Sequence, residues 1–476
     1  MLPESALRPY QKIAIDHLLN HDKSALWAQM GLGKSVSTLT ALEIMRFSGL
    51  IDRPPIILAP LRVARDVWPD EVKKWEHLQH LTVSPIIGSA GARLSALKTK
   101  ADLYTCNYEN ISWLIETCGD RWPFGPVILD ESTKVKSLRA SIRQNANGTE
   151  WVQGQGGKRA KALLQAMYRF KTERIIELSG TPAPNGLIDL WGQLFFLDYG
   201  ERLGRVFDGF KNRWFQSSFD GWGIEPLPHA AGEIHGKVSD ICLSLQAADW
   251  FDVAKPIDTT IKVQLPPHAR KAYKEMEKQF FTEVQGHQIE AFNAGAKLQK
   301  LLQFAAGAAY LGHADDPGAR KWTVVHDEKL DALAEIVEEL AGAPAIVSYQ
   351  FKSDVARILQ RFPNARVLDQ RSSTISEWNR GRIPLLLAHP ASAGHGLNLQ
   401  VGGNVLVYFS VGFNAEEHQQ IFERIGPVRQ LQAGLNRPSY RYYIMAEKTM
   451  DEEVMDVQEG KFSVHDALLN AVRKRS

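Results

Sequence analysis

Short apolar runs recur through the first 200 residues, and most are followed by stretches with helical spacing. Ser24-Ala25-Leu26-Trp27-Ala28 reads as a buried strand and Val36 to Met45 as a helix. Arg53-Pro54-Pro55 introduces a strand, Ile56-Ile57-Leu58-Ala59, that stops at Pro60, and Val63 to Trp75 reads as an amphipathic helix. Leu103 to Cys106, Val127 to Leu129 and Arg174 to Ser179 have the same strand character. Such alternation predicts a parallel α/β sheet with covered faces.

The pattern changes between 201 and 325. Trp and Phe are frequent early, and Lys271 to Leu311 is nearly free of Pro, so inserted helical material and a linker are expected there. From His326 the alternation returns, with a helix over Leu330 to Leu340 and strands at Ala345 to Ser348, Leu385 to Ala388 and Val405 to Phe409. The expected organisation is a first α/β lobe at 1–200, helical insertions at 201–325 and a second α/β lobe at 326–476. No internal repeat of 20–50 residues is visible, and the basic tail Arg473-Lys474-Arg475-Ser476 is expected to fray.

Composition narrows the class. The 476 residues are 44% hydrophobic and 23% charged, ordinary for a water-soluble globular chain of two or three domains. Net charge is +2, too small to argue for a polyanionic partner from the chain as a whole. Cys106, Cys118 and Cys242 form no CxxC pair, which argues against a zinc site or a disulfide framework and suits a reducing cytoplasm. No basic-then-apolar leader and no uncharged apolar stretch long enough for a membrane helix is seen, so a soluble, unsecreted protein without membrane partners is expected.

Charge is uneven locally. From Lys134 to Arg174 there are ten basic residues, opposed only by Glu150 and Glu173. They surround a Gly-rich stretch, Asn147 to Gly157, that reads either as a solvated loop with flanking helices or as a contact with a phosphate backbone.

Two motifs carry chemistry. Ala28-Gln29-Met30-Gly31-Leu32-Gly33-Lys34-Ser35 lies between a strand and a helix and is a phosphate-binding loop, with Ala in place of the usual leading Gly. The backbone of Met30, Gly31, Leu32 and Gly33 can wrap a triphosphate, Lys34 can reach the β- and γ-phosphates, and the Ser35 hydroxyl can ligate Mg²⁺. The second motif, Val127 to Glu131, is an apolar strand ending in two carboxylates. Strand ends are where parallel sheets bind ligands, so Asp130 is assigned to Mg²⁺ through a water and Glu131 to polarising the attacking water.

With further motifs in order, the chain resembles the Swi/Snf-like ATPases of helicase superfamily two, and most of all their compact phage and bacterial forms. Leu7-Arg8-Pro9-Tyr10-Gln11 is similar to the family's adenine-reading segment, with Gln11 on the base. Ile57-Leu58-Ala59-Pro60 with Trp68, Glu71 and Trp75 resembles the motif along the nucleic-acid track. Ser179-Gly180-Thr181-Pro182, with Asn185, Leu190-Trp191 and Phe196-Leu197-Asp198, resembles the segment coupling the phosphate site to nucleic acid, which implicates Ser179 and Thr181.

In the second lobe Ala345 to Phe351 is similar to the fourth motif. Ala393 to Gln400 is similar to the fifth, where Gly394, Gly396 and Asn398 would touch nucleic-acid phosphates. Gln420 to Gln430 resembles the sixth, which implies a coupling role for Gln420 and an arginine finger at Arg424. Two departures stand out. Ser132-Thr133 follows Asp130-Glu131 where the family has His in the fourth place. Pro427 occupies the second finger position, with Arg429 two residues further on as a substitute.

The resemblance implies two RecA-like parallel-sheet lobes that close on ATP and Mg²⁺, and an ATP-dependent helicase or translocase moving on double-stranded DNA. Because the finger is in the same chain, hydrolysis does not demand a ring, and a monomer is expected in the cytoplasm (the host's, if phage-encoded). Targeting would fall to a partner protein, since no targeting module is recognisable. An RNA-directed helicase and a nucleotide-gated DNA-binding scaffold with little turnover are the alternatives. No wedge for strand separation has a sequence signature. Trp151, Trp214 and Trp222 are aromatic side chains that could either stack on bases or fill the core.

Overall fold

A computed structural model describes residues 1–145, 147, 150–184, 186–217, 224–251, 254–286, 291–310, 322–369, 372–393 and 397–458. The chain divides into two compact units, Met1–Asp252 and Val253–Ser476.

Among the described residues the first unit has eleven strands: β1 (Lys23–Ala28), β2 (Ile56–Ala59), β3 (Val83–Ile86), β4 (Leu103–Asn107), β5 (Val127–Asp130), β6 (Arg139–Gln144), β7 (Glu150–Gln155), β8 (Ile175–Ser179), β9 (Phe215–Ser217), β10 (Ile224–Pro226) and β11 (Cys242–Leu245). Seven build one parallel sheet in the order β11-β1-β8-β5-β2-β4-β3. β2, β4 and β8 are buried along their whole length, as strands covered on both faces must be. β11 comes from the stretch expected to be helical. Cys242 to Leu245 pairs in parallel with Ala25 to Ala28 and closes the edge beside β1.

The expected helix over Val63 to Trp75 is present but not uniform. A π-helical turn, Val63–Val67, precedes an α-helix, Trp68–Lys74. Pro69 has no N–H to give the Arg65 carbonyl, so the α ladder is interrupted there and the turn widens.

The second unit contains β12 (Ile257–Val263), β13 (Ala308–Tyr310), β14 (Trp322–Val324), β15 (Ala345–Ser348), β16 (Arg366–Val367), β17 (Leu385–Ala388), β18 (Val405–Tyr408) and β19 (Tyr440–Ala446). Six form a second parallel sheet, β12-β19-β18-β15-β17-β16. Its core is continuous from β15, β17 and β18 to the helices at Glu328–Glu339 and Met450–Gln458. The expected pair of parallel α/β lobes is therefore present, and strands from 201–325 contribute to both sheets.

Within the Gly-rich stretch, Glu150 to Gln155 is a strand rather than a loop. β6 and β7 pair in antiparallel register from Arg139↔Gln155 to Gln144↔Glu150. Of the three tryptophans that could stack on bases, Trp214 is buried and donates to Glu233 Oε2 at 2.9 Å, and Trp222 lies outside the described residues. Trp151 is 46% exposed. Among the described residues no helix is long and apolar enough to cross a membrane.

Candidate nucleotide site

Strand order decides what meets in the first unit. β1, β8 and β5 are adjacent and parallel, so the loops after their carboxyl ends share one edge. Those loops are the phosphate loop, the Ser179–Pro182 turn and the Asp130-Glu131 pair.

The phosphate loop turns on two glycines in left-handed conformation, Gly31 (φ 88°) and Gly33 (φ 78°). Gly33 caps the helix Lys34–Phe47, whose positive end faces the loop. Space is a second reason for glycine: a Cβ at Gly33 would collide with the Gln11 amide nitrogen. The Gln11 side chain therefore packs on the phosphate loop, with its Oε1 accepting from Arg8 N at 2.8 Å. The start of the loop is anchored through Gln29, whose Oε1 accepts from Ala247 N at 2.7 Å and whose N donates to Leu245 O at 3.2 Å.

Lys34 Nζ donates to Ala28 O at 2.6 Å. Gly180 lies beside it; a Cβ there would stand 3.6 Å from Nζ. Burial pushes the Asp130 carboxyl above its ordinary range, against the opposing pull of Lys34 and then of a hydrogen bond from Trp68. That bond runs from Trp68 Nε1 to Asp130 Oδ2 at 2.9 Å, while Tyr108 Oη donates to the Asp130 carbonyl at 3.0 Å. The resemblance places Trp68, Glu71 and Trp75 along a nucleic-acid track. In this fold both indoles are buried and turned inward, and Trp75 Nε1 donates to Glu71 Oε1 at 2.9 Å.

Glu131 has φ 62° and ψ 59°, a left-handed backbone that costs a side-chain-bearing residue about 1–2 kcal/mol. The turn brings Thr133 back, so that its Oγ1 donates to Glu131 Oε1 at 3.4 Å, in the place where the family carries His. Ser132 Oγ donates to Gln193 Oε1 at 2.8 Å, and Gln193 Nε2 donates to Pro182 O at 2.6 Å and Asp189 O at 3.1 Å. Gln193 therefore joins the turn after β5 to the Ser179–Pro182 turn. It was not singled out from sequence; a lone amide in the apolar run Leu190 to Leu197 was the available signal. In the turn itself Ser179 Oγ accepts from Thr181 N at 3.1 Å, and Asn185 lies outside the described residues.

The donor set fits a hard cation. Asp130 is a half-buried carboxylate only partly compensated, and Ser35 adds a hydroxyl at the helix start. Among the described residues no three His, Cys, Asp or Glu side chains form a metal-binding group.

The second unit carries the remaining residues. Gln420 is buried on the helix Ala415–Glu423 and donates to Glu416 Oε1 at 2.9 Å. Arg424, 4% exposed, caps the end of that helix. Pro427 opens a new helix, Pro427–Gln432, at the position where its missing N–H costs nothing. Arg429 sits on this second helix, so it does not continue the face that carries Arg424. Gln430, not singled out from sequence, donates to Gly403 O at 2.9 Å and Ile425 O at 3.0 Å, tying the sixth motif to the segment after the fifth. Asn398 is exposed, with its carbonyl held by Asn379 Nδ2 at 2.9 Å. Gly394 and Gly396 lie outside the described residues.

Residues 10–150 match the family model described as SNF2-related domain. Protein p41 of Acyrthosiphon pisum secondary endosymbiont phage 1 is 49% identical over 473 residues, covering 98% of this chain and 99% of its own. The human SWI/SNF-related matrix-associated actin-dependent regulator of chromatin subfamily A member 1 is 20% identical over 98% of this chain, which spans 44% of the human protein. An uncharacterized ATP-dependent helicase of Mycoplasma genitalium is 22% identical over 96% of this chain and 41% of its own length. The chain belongs to the Swi/Snf-like ATPases of helicase superfamily two. It spans less than half of the human and mycoplasmal relatives.

Proposed function

We propose that this protein is an Mg²⁺- and ATP-dependent motor that translocates on duplex DNA. The observation that supports the reading is the convergence of three loops at the carboxyl edge of one parallel sheet: the phosphate loop, the Asp130-Glu131 pair and the Ser179–Pro182 turn.

In this reading backbone N–H groups from Met30 to Gly33 and the helix end hold the triphosphate, and Gln11 reads the adenine. Lys34 moves its ammonium from Ala28 O to the β- and γ-phosphates. Ser35 and Asp130 hold Mg²⁺, which supplies charge neutralisation on the phosphate oxygens. Glu131 orients the attacking water, its direction set by the left-handed turn at its own backbone. Arg424 is the arginine finger that stabilises charge in the transition state, and Arg429 substitutes for the second finger at the position that Pro427 takes. Ser179 and Thr181, linked through Pro182 and Gln193 to the turn after Glu131, transmit nucleotide state to the nucleic-acid contacts. Gly394, Gly396, Asn398 and Gln420 serve the second unit's contacts.

The test is steady-state ATP turnover with no nucleic acid, single-stranded DNA, duplex DNA or RNA, beside Lys34→Ala. Duplex stimulation that Lys34→Ala abolishes is expected. Stimulation by RNA alone would redirect the reading to an RNA helicase. Turnover indifferent to every nucleic acid would overturn the motor.

A further inference from the structure

The hairpin β6–β7 has two unlike faces. Ala140 is buried, and Ile142 and Val152 pack on the core of the first unit. The opposite face presents Ser141, Arg143, Trp151 and Gln153, with Arg143 directly across the ladder from Trp151. Both of these side chains are exposed.

The base of the hairpin is fixed. Gly156 has φ 108°, and a Cβ there would overlap the Ser137 carbonyl. The Arg139 guanidinium lies 3.8 Å from the Phe207 ring centroid and donates to Leu138 O at 2.7 Å. Its position near the reaction is set by the chain: seven residues separate Glu131 from Arg139, and among them Lys136 pairs with Asp189 at 3.2 Å.

The basic excess of this region is smaller than the sequence suggests. Lys136, Arg159, Arg169 and Arg174 pair with Asp189, Glu109, Asp120 and Asp22, and Arg139 holds the hairpin base. Lys161 lies along Gly154 on the inner face, beside Ala140, so the cation that remains on the outer face is Arg143 on β6.

We infer that the outer face of this hairpin binds an unpaired nucleotide, with Trp151 stacking on the base and Arg143 meeting the backbone phosphate. The inference rests on the motor reading and adds a second grip to it. A planar ring beside a cation, with a hydroxyl and an amide on the same face, matches a π-faced polyanion better than an apolar protein surface. Bases inside a duplex have both faces covered by their neighbours. The site therefore selects single strands, or duplexes carrying an unpaired tail, over blunt duplexes.

The test is fluorescence anisotropy with a labelled blunt duplex and the same duplex bearing an unpaired tail. The proteins are the full chain, Trp151→Ala, Trp151→Phe and Arg143→Gln. Trp151→Ala should lose about tenfold in affinity for the tailed duplex and little for the blunt one, with Trp151→Phe restoring most of the loss. Arg143→Gln should weaken tailed-duplex binding in a way that shrinks as salt rises. Unchanged tailed-duplex affinity in Trp151→Ala, or equal loss on both DNAs, would overturn the hairpin site. A parent protein that binds neither DNA would instead sink the motor reading, before any hairpin variant is compared. Near-identical thermal midpoints of the exposed-site variants exclude misfolding as the cause.

Discussion

The Trp68 indole N–H donates to Asp130 Oδ2 at 2.9 Å, across 62 residues of sequence. It reaches the carboxylate from a helix whose first turn is distorted by Pro69, while Tyr108 fixes the carbonyl of the same aspartate. Both contacts hold the proposed metal-binding carboxylate by its surroundings, whatever occupies the site.

Trp68→Phe keeps the ring and removes the donor. A hydrogen bond to a charged group is worth about 1.5–3 kcal/mol, so the Mg²⁺ concentration giving half-maximal ATP turnover should rise about tenfold or more. The bond favours the ionised carboxylate, and burial opposes it. Its loss raises the Asp130 pKa further, and the acid limb of the turnover profile moves to higher pH. An unchanged Mg²⁺ requirement and pH profile would remove Trp68 from the site.

Glu131→Gln keeps the size of the side chain and removes the base. ATP turnover should fall by at least about a hundredfold while ATP binding, read by a fluorescent analogue, stays within a few-fold. If turnover is unaffected, water activation belongs to another residue.

Gln193→Leu breaks the bridge from Ser132 to Pro182 and Asp189. Losing buried hydrogen bonds should cost about 1–3 kcal/mol of stability, visible in urea unfolding. The sharper signature is in coupling: DNA stimulation of turnover should fall more than the turnover without DNA. Parallel loss of both would mean that Gln193 is only structural.

His418 stacks at 4.1 Å on Tyr408, which stacks in turn on Tyr443. Burial, helped by Arg441, pushes the His418 pKa down to about 3. The unfolded chain takes up this proton near pH 6.5 and the folded stack does not. Its contribution is full above pH 6.5 and is lost as pH falls toward 3. His326, buried and pushed down to about 4, acts in the same direction, while Asp354, pushed up to about 6, offsets part of the loss between pH 6 and 4. His418→Phe keeps the stack and isolates one of these groups. Relative to the parent it should gain roughly 2 kcal/mol between pH 7.5 and 5, measured by chemical unfolding at each pH. A constant difference across that range would show that the imidazole titrates normally.

The phosphate loop and the Asp130-Glu131 strand end were legible because their chemistry is local: small residues, a lysine and an apolar run sit side by side in sequence. β11 was not, because Cys242 to Leu245 is a four-residue segment that becomes a strand by pairing with β1, far away in the chain. The β6–β7 hairpin was hidden by its glycines, although Ala140 and Ile142 alternate with polar neighbours at strand period. Trp68 could be read by resemblance as part of a nucleic-acid track, yet which way an indole turns depends on packing that no motif encodes. Gln193 illustrates the same limit for polar groups, since its partners at Ser132 and Pro182 come from two separate loops.

The left-handed backbone of Glu131 sets two selective pressures against each other at one position. Glycine there would relieve about 1–2 kcal/mol of conformational cost and delete the carboxylate in the same step. On the proposed role of Glu131 in orienting water, a search for heat-resistant variants of this protein would therefore be drawn toward inactive ones at residue 131.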